Sequence, residues 1–429
     1  MNTMSVLAFI TIIVVLFVAG VPVYVALGLG SIMFVLFSQG ISPQIVIRRF
    51  ISGVDSTTLL CVPLFILSGD LMAKGGLATR LIAACKLLVG RFRGGLAFVC
   101  MIACTVFAAI TGTAIACTMA LGIILIPEMV KAGYDRDFAT GVVTSGSVLG
   151  PIIPPSIGLV IYCQYVNGVS LTDLFAASFP AGIFLALIFC VTAYFLCRRR
   201  GYQGVSFTKE QLTPKAKRKT LLEGLWALGT PVIILGCVFT GICTPTESAV
   251  IAVFYSIIVG MAVFKELKWK DLPGLFVNAG KNTARMMIII GSAQLFGWVI
   301  QYLQLSNTLV NFFEGLSLGK YGSFLLMMLI LFILGMFMDA TTIVIISTPV
   351  FVPIALSLGI DPVHFGICYS VVLGLGLMTP PFGTALYTGS FVGDVPVVKL
   401  SKQILPFVGA MIVTILIFVF CPWIFTWAV

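Results

Sequence analysis

Twice in this chain, 226 residues apart, an apolar run of membrane-spanning length is broken by adjacent prolines, Pro154-Pro155 and Pro380-Pro381. A helix crossing lipid satisfies its own backbone. Breaking it strands N–H and C=O groups at several kcal/mol each, and the break survives only where protein, water or an ion takes them up. Two consecutive prolines remove two donors and cannot continue an α-helix. A single proline reads most simply as a kink. Pro-Pro flanked by Gly150 and Ser156, and again by Gly376 and Thr379, reads as a built discontinuity.

The pairing of the breaks is one sign of a repeat. When the chain is shifted by 226 residues (114 onto 340), Ala114–Pro180 overlies Ala340–Pro406 without gaps. Pro127, Pro154, Pro155 and Pro180 meet Pro353, Pro380, Pro381 and Pro406; Gly133, Asp135 and Gly150 meet Gly359, Asp361 and Gly376. Random placement would match roughly 0.5 prolines, so four matches mark an internal duplication. Each half also carries an interrupted run before its broken one, Gly94–Val130 at Thr111-Gly112-Thr113 and Tyr321–Leu358 at Met338-Asp339-Ala340-Thr341-Thr342. Both interrupted runs read as re-entrant hairpins.

Other spans are expected near Met4–Ala19, Pro22–Phe37, Thr57–Ala73, Leu171–Leu196, Leu225–Gly241, Ala249–Phe264 and Thr283–Leu303, with a last one closing the chain. Softer stretches carry Arg80 to Arg93 and Ser306–Leu318. Only 9% of residues are charged and 60% are hydrophobic, which places the chain in the membrane class. The first run has neither a basic leader nor a cleavage site and reads as a retained helix. The net charge of +10 sits in short loops, as the positive-inside rule expects, and implies no nucleic acid.

Arg91, Arg93, Lys131 and Arg136 bracket the first hairpin, placing its mouth in the cytoplasm; Lys320, Asp361 and His364 bracket the second, placing its mouth outside. The halves are therefore inverted. The basic Arg198–Lys219 loop falls in the cytoplasm and both termini outside, which leaves Arg48 and Arg49 on the unfavoured side.

The expected fold is an all-α integral membrane protein, an inverted-repeat secondary transporter with two re-entrant hairpins and two broken transmembrane helices. Hairpin tips meeting broken helices gather unwound carbonyls, which suit sodium, and half-helix N-termini, which suit an anion. One ion site per half follows: Thr111, Gly112, Thr113 and Gly150 in the first, Asp339, Thr341, Gly376 and Thr379 in the second. Hydroxyls and the one carboxylate nearby, on Thr113, Ser156, Asp339, Thr342 and Thr384, are the candidate substrate contacts. A carboxylate at bilayer depth costs about 2.5–3.5 kcal/mol, so Asp339 should face a wet or paired site; capping the following half-helix is the other reading, and both can hold. Glu247 after Thr244-Pro245-Thr246 reads as a helix cap, and Lys281 and Arg285 as snorkelling cytoplasmic anchors. No arginine stands out at bilayer depth to clamp a carboxylate.

The segments Ala109–Met119 (AITGTAIACTM), Gly150–Gly158 (GPIIPPSIG), Gly241–Ala249 (GICTPTESA), Gly335–Thr342 (GMFMDATT) and Gly376–Thr384 (GLMTPPFGT) resemble the large (DctM-type) membrane subunit of tripartite ATP-independent periplasmic (TRAP) transporters, over essentially the whole chain. The resemblance implies a sodium-driven importer of an organic anion, a carboxylate or sugar acid, in the bacterial inner membrane. It also implies a periplasmic binding protein that delivers the anion and a separate small four-helix (DctQ-type) membrane subunit. The implied motion is an elevator: hairpins and broken helices (91–170 and 319–398) slide against a scaffold (1–90; 171–318 with the basic loop 197–222; 399–429). It further implies a second sodium site on Gly335, Gly376, Thr379 and Phe382, which the repeat maps onto Ala109, Thr113, Gly150 and Ile153. No catalytic metal is implied.

A stand-alone sodium–carboxylate symporter of similar design is the alternative. An intramembrane enzyme is disfavoured by the single histidine, His364, and by the lack of paired intramembrane carboxylates or a Ser/Lys dyad. A passive channel fits inverted hairpins poorly, and no phosphate-binding G-x-x-x-x-G-K-[ST] motif occurs.

Overall fold

The computed structural model describes residues 19–38, 41–166, 168–204 and 213–427, with Phe9, residues 11–13, Val15 and Leu16 of the first segment; for residues 306, 307 and 314 the side chains are not described. The expected Met4–Ala19 span lies largely outside these residues, as do residues 205–212 of the basic loop. Among the described residues every element is helical. Seven helices are long and apolar enough to cross a membrane, and a pair bent by 57° makes an eighth.

The first repeat comprises α1 (Val23–Phe37), α2 (Gln44–Val54), α3 (Cys61–Lys74), α4 (Leu77–Val89), the hairpin α5 (Gly95–Thr111) and α6 (Ala114–Lys131), the half-helices α7 (Arg136–Ser147) and α8 (Ile157–Tyr165), and α9 (Leu171–Arg200). A linking helix, α10 (Pro214–Phe239), leads into the second repeat. That repeat comprises α11 (Pro245–Ile258), α12 (Leu272–Tyr302), α13 (Leu305–Gly315), the hairpin α14 (Gly319–Gly335) and α15 (Ala340–Ser357), the half-helices α16 (Pro362–Leu377) and α17 (Thr384–Gly393), and α18 (Val397–Phe420). The 226-residue shift carries α6 onto α15 end for end and α4 close to α13. It also lays the bent pair α2–α3 on the single 31-residue helix α12.

Two polar clusters mark the opposite faces. At the first hairpin mouth, the Tyr202 hydroxyl donates to Asp135 Oδ2 at 2.5 Å, Arg200 lies 3.6 Å from the same carboxylate, and Arg136 Nε donates to the Gly393 carbonyl at 2.7 Å. At the second mouth, Lys320 Nζ donates to the Gly359 carbonyl and the Tyr162 hydroxyl to Pro362, both at 2.7 Å. Thus α17 ends beside the first mouth and α8 beside the second, which is the inversion in side-chain terms. Between the faces the halves interlock: α17 packs on α6 and α7, and α8 packs on α15.

Several charged pairs fix further ends to the first face. Lys86 pairs with Glu128, Arg80 Nη1 lies 2.6 Å from Glu266, and Lys74 lies 4.0 Å from Asp271. The α3–α4 turn and the start of α12 are therefore on the side of the first mouth. Arg49 sits at the other end of α12, with its guanidinium 5.9 Å above the Trp298 ring. That cation–π contact gives Arg49 a partner on the side where the charge rule disfavours it.

Candidate functional site

At the first tip the chain turns in two residues. Gly112 adopts φ +62 and its N–H closes α5 on Ala108 at 3.0 Å; Thr113 starts α6 by accepting the Ala116 N–H at 3.4 Å. The tip is pressed onto the broken segment. A Cβ on Gly112 would lie 2.6 Å from the Pro155 carbonyl oxygen, and one on Gly150 would lie 2.6 Å from the Thr113 carbonyl carbon. Only residues without Cβ allow these backbones so close. Thr111 Oγ1 adds bonds to the Phe107 and Thr113 carbonyls at 3.2 and 3.5 Å.

The second tip repeats the arrangement. A Cβ on Gly376 would lie 2.5 Å from the Gly335 backbone, and the Phe382 N–H donates to the Met336 carbonyl at 3.1 Å. Thr379 donates to Leu375 at 2.7 Å. Asp339 stands where the first half has Thr113 and does the same capping more fully. It accepts from the Thr341 N–H at 3.3 Å, the Thr342 N–H at 3.1 Å and the Thr342 hydroxyl at 2.9 Å. The Pro154–Pro155 and Pro380–Pro381 peptides are both cis.

The two tips share a cavity of about 470 Å³, walled on one side by Thr111, Thr113, Ala116, Asp339 and Thr341. The facing wall is α3 and α12, through Gly69, Asp70, Asn282, Arg285 and Met286. A small cleft of about 40 Å³ continues between the tips and the broken helices, past Gly112, Pro151, Leu377 and Thr384. Thr384 Oγ1 is buried there without a hydrogen-bond partner among the described residues. Asp339 therefore caps α15 and faces the cavity as well.

The expected site residues fall into groups. Thr111, Gly112, Thr113 and Gly150 come together at one tip, and Gly335, Gly376 and Phe382 at the other. Ala109 and Ile153 are buried beside the first, where Ile153 packs on Gly182 of α9. Thr341 and Thr384 join the cavities; Thr342 is turned to Asp339. Ser156 is fully buried and spends its hydroxyl on the Pro151 carbonyl, at 2.6 Å, and on the Leu159 N–H. Glu247 forms the expected cap, a capping box with Thr244. His364 packs edge-on against Phe324 and lies 2.9 Å from the Phe418 carbonyl.

Two expectations change. The span expected to start at Thr283 begins at Leu272, so Arg285 is no end anchor: it lies thirteen residues, roughly 20 Å, along a helix of about 47 Å. It stands well inside the helix, at the cavity wall. Asp339 is also not the one carboxylate there, since Asp70 of α3 lines the same cavity and accepts from Asn278 Nδ2 at 3.3 Å. An ionisable residue inside the apolar run Thr57–Ala73 was the clue to Asp70.

Comparison with known proteins bears on the same arrangement. A family model described as "Tripartite ATP-independent periplasmic transporter, DctM component" matches residues 10–424. A putative TRAP transporter large permease protein of Haemophilus influenzae is 36% identical over 420 residues, covering 98% of this chain and 97% of that protein. The sialic acid TRAP transporter large permease protein SiaM of Vibrio cholerae is 35% identical over 407 residues, covering 94% and 93%. Among solved structures, the Alcanivorax borkumensis YdaH transporter, described as having an unusual topology, matches with a TM-score of 0.61 at 16% identity, over 87% of this chain and 86% of that one.

Proposed function

This chain belongs to the DctM family, the large membrane component of tripartite ATP-independent periplasmic transporters, and from that premise we propose that it imports an organic anion, a carboxylate or sugar acid, driven by a sodium gradient through an elevator motion. A periplasmic binding protein delivers the anion, and a small four-helix subunit packs beside this chain in the bacterial inner membrane. The observation that carries the reading is the cavity shared by both hairpin tips and closed on its far side by α3 and α12.

Residues 91–170 and 319–398 form the moving unit. Their interlocking half-helices support this, since each half's broken helix packs on the other half's hairpin. The tightly apposed backbones at Thr113–Gly150 and Gly335–Gly376 are where carbonyl oxygens would hold sodium, a hard cation of single charge. Thr113, Asp339 and Thr341 line the side of the cavity that travels. An ion that draws tip and broken helix together completes this side before the anion enters, and a unit holding sodium without the anion is left unable to slide.

The test is reconstitution in proteoliposomes with the small subunit and binding protein. An inward sodium gradient should drive uptake of labelled succinate or N-acetylneuraminate, with none when either the gradient or the binding protein is omitted. Uptake undiminished without the binding protein would favour the stand-alone symporter; uptake indifferent to sodium would remove the coupling.

A further inference from the structure

The cavity is meant to take an anion, yet two of its walls carry carboxylates, Asp70 on α3 and Asp339 at the second tip. Both are engaged. Asp339 accepts three hydrogen bonds from Thr341 and Thr342, and Asp70 accepts one from Asn278. Arg285 is the cation among the described residues that line the cavity, and it makes no hydrogen bond or ion pair with the described chain. It stands at the middle of α12, one end of a stripe formed by Asn278, Asn282 and Arg285. Spacings of four and three residues put all three on one helix face. The stripe runs along α12 from the polar turn at Asp271 to the cavity wall opposite the tips.

We propose that Arg285 binds the carboxylate of the transported anion, and that Asn282 and Asn278 form the polar track by which the anion reaches or leaves it. A guanidinium presents paired N–H donors in a fixed fork that matches a carboxylate, and its charge offsets Asp70 and Asp339. An ammonium would supply the charge without the fork. Because α12 lies in the part of the chain proposed to stay still, the contact belongs to the present position of the tips. Arg285 would receive the anion from the moving side when the tips face α3 and α12. The inference rests on the import reading and names the group that recognises its substrate.

The experiment uses the full chain purified with its small subunit in sodium. Thermal stabilisation is titrated with succinate, N-acetylneuraminate and gluconate, and with the neutral succinamide, N-acetylmannosamine and gluconamide. In the wild type at least one acid should stabilise the complex and its neutral counterpart should not. Arg285→Gln should bind that acid at least tenfold more weakly and lose the preference for acid over neutral probe; Arg285→Lys should fall between; Lys281→Gln, off the cavity, should match the wild type. Should Arg285→Gln fail to yield monodisperse protein, Arg285→Lys carries the test, with a severalfold rise in Kd expected. Undiminished affinity in a folded Arg285 variant would overturn this inference alone. Lack of response of the wild type to every acid would overturn the import reading, and this inference with it.

Discussion

Asp339 spends its carboxylate oxygens on the first turn of α15 while facing the cavity between the tips. The two roles can be separated, because the repeat supplies a neutral cap at the same place: Thr113 starts α6 with a hydroxyl. Asp339→Ala should lose the cap, at about 1 kcal/mol, and most uptake. Asp339→Thr should melt near the wild type yet still transport at least tenfold more slowly. Wild-type uptake by Asp339→Thr would reduce the residue to a cap. Gly376 tests the tight approach. A methyl there meets the Gly335 backbone at 2.5 Å, and overpacking of this kind costs about 1–3 kcal/mol. Gly376→Ala should lower the melting temperature in detergent, whereas Gly409→Ala, with nothing within 4 Å of its added methyl, should hold or raise it. Equal melting of the two variants would show that the second tip does not seat as described.

At the level of elements, the breaks were legible because proline and glycine act through the backbone, and a backbone constraint survives in sequence wherever the chain goes. The hairpin turns and both Pro-Pro discontinuities lie where apolar runs were interrupted, and the 226-residue shift extends beyond the window that revealed it, to α4 and α13. Two features were hidden. The bend between α2 and α3 has no counterpart in α12, though the two occupy equivalent places, so the repeat alone does not show that residues 272–282 continue the helix. The start of α12 was set eleven residues late, at Thr283, although Asn282 and Arg285 line the cavity. Polar residues facing a wet cavity lower the hydropathy of a helix without ending it, and Arg285 was misplaced for that reason. The breaks themselves can be tested. Replacing Pro380 and Pro381 by alanine restores two N–H donors and lets α16 run on into α17. Sodium-dependent uptake should disappear while the purified protein stays helical and monodisperse. Full uptake would mean that the unwound turn is dispensable.

For the whole molecule, the inverted fold, the membrane class and the family follow from features visible along the chain; the far wall of the cavity does not, since it joins Asp70 to Arg285 across more than two hundred residues. The account rests on one mechanical claim, that the hairpin arms slide against α12. Gly297 of α12 and Pro349 of α15 offer a direct probe, because a Cβ at 297 would lie 3.6 Å from Pro349 Cβ, within the span a disulfide bridges. Neither residue lines the cavity. With each single cysteine as control, a Gly297→Cys/Pro349→Cys pair should cross-link under oxidation and abolish sodium-driven uptake, and reduction should restore it. Uptake at the uncrosslinked rate with the bridge fully formed would contradict the sliding unit and the elevator with it.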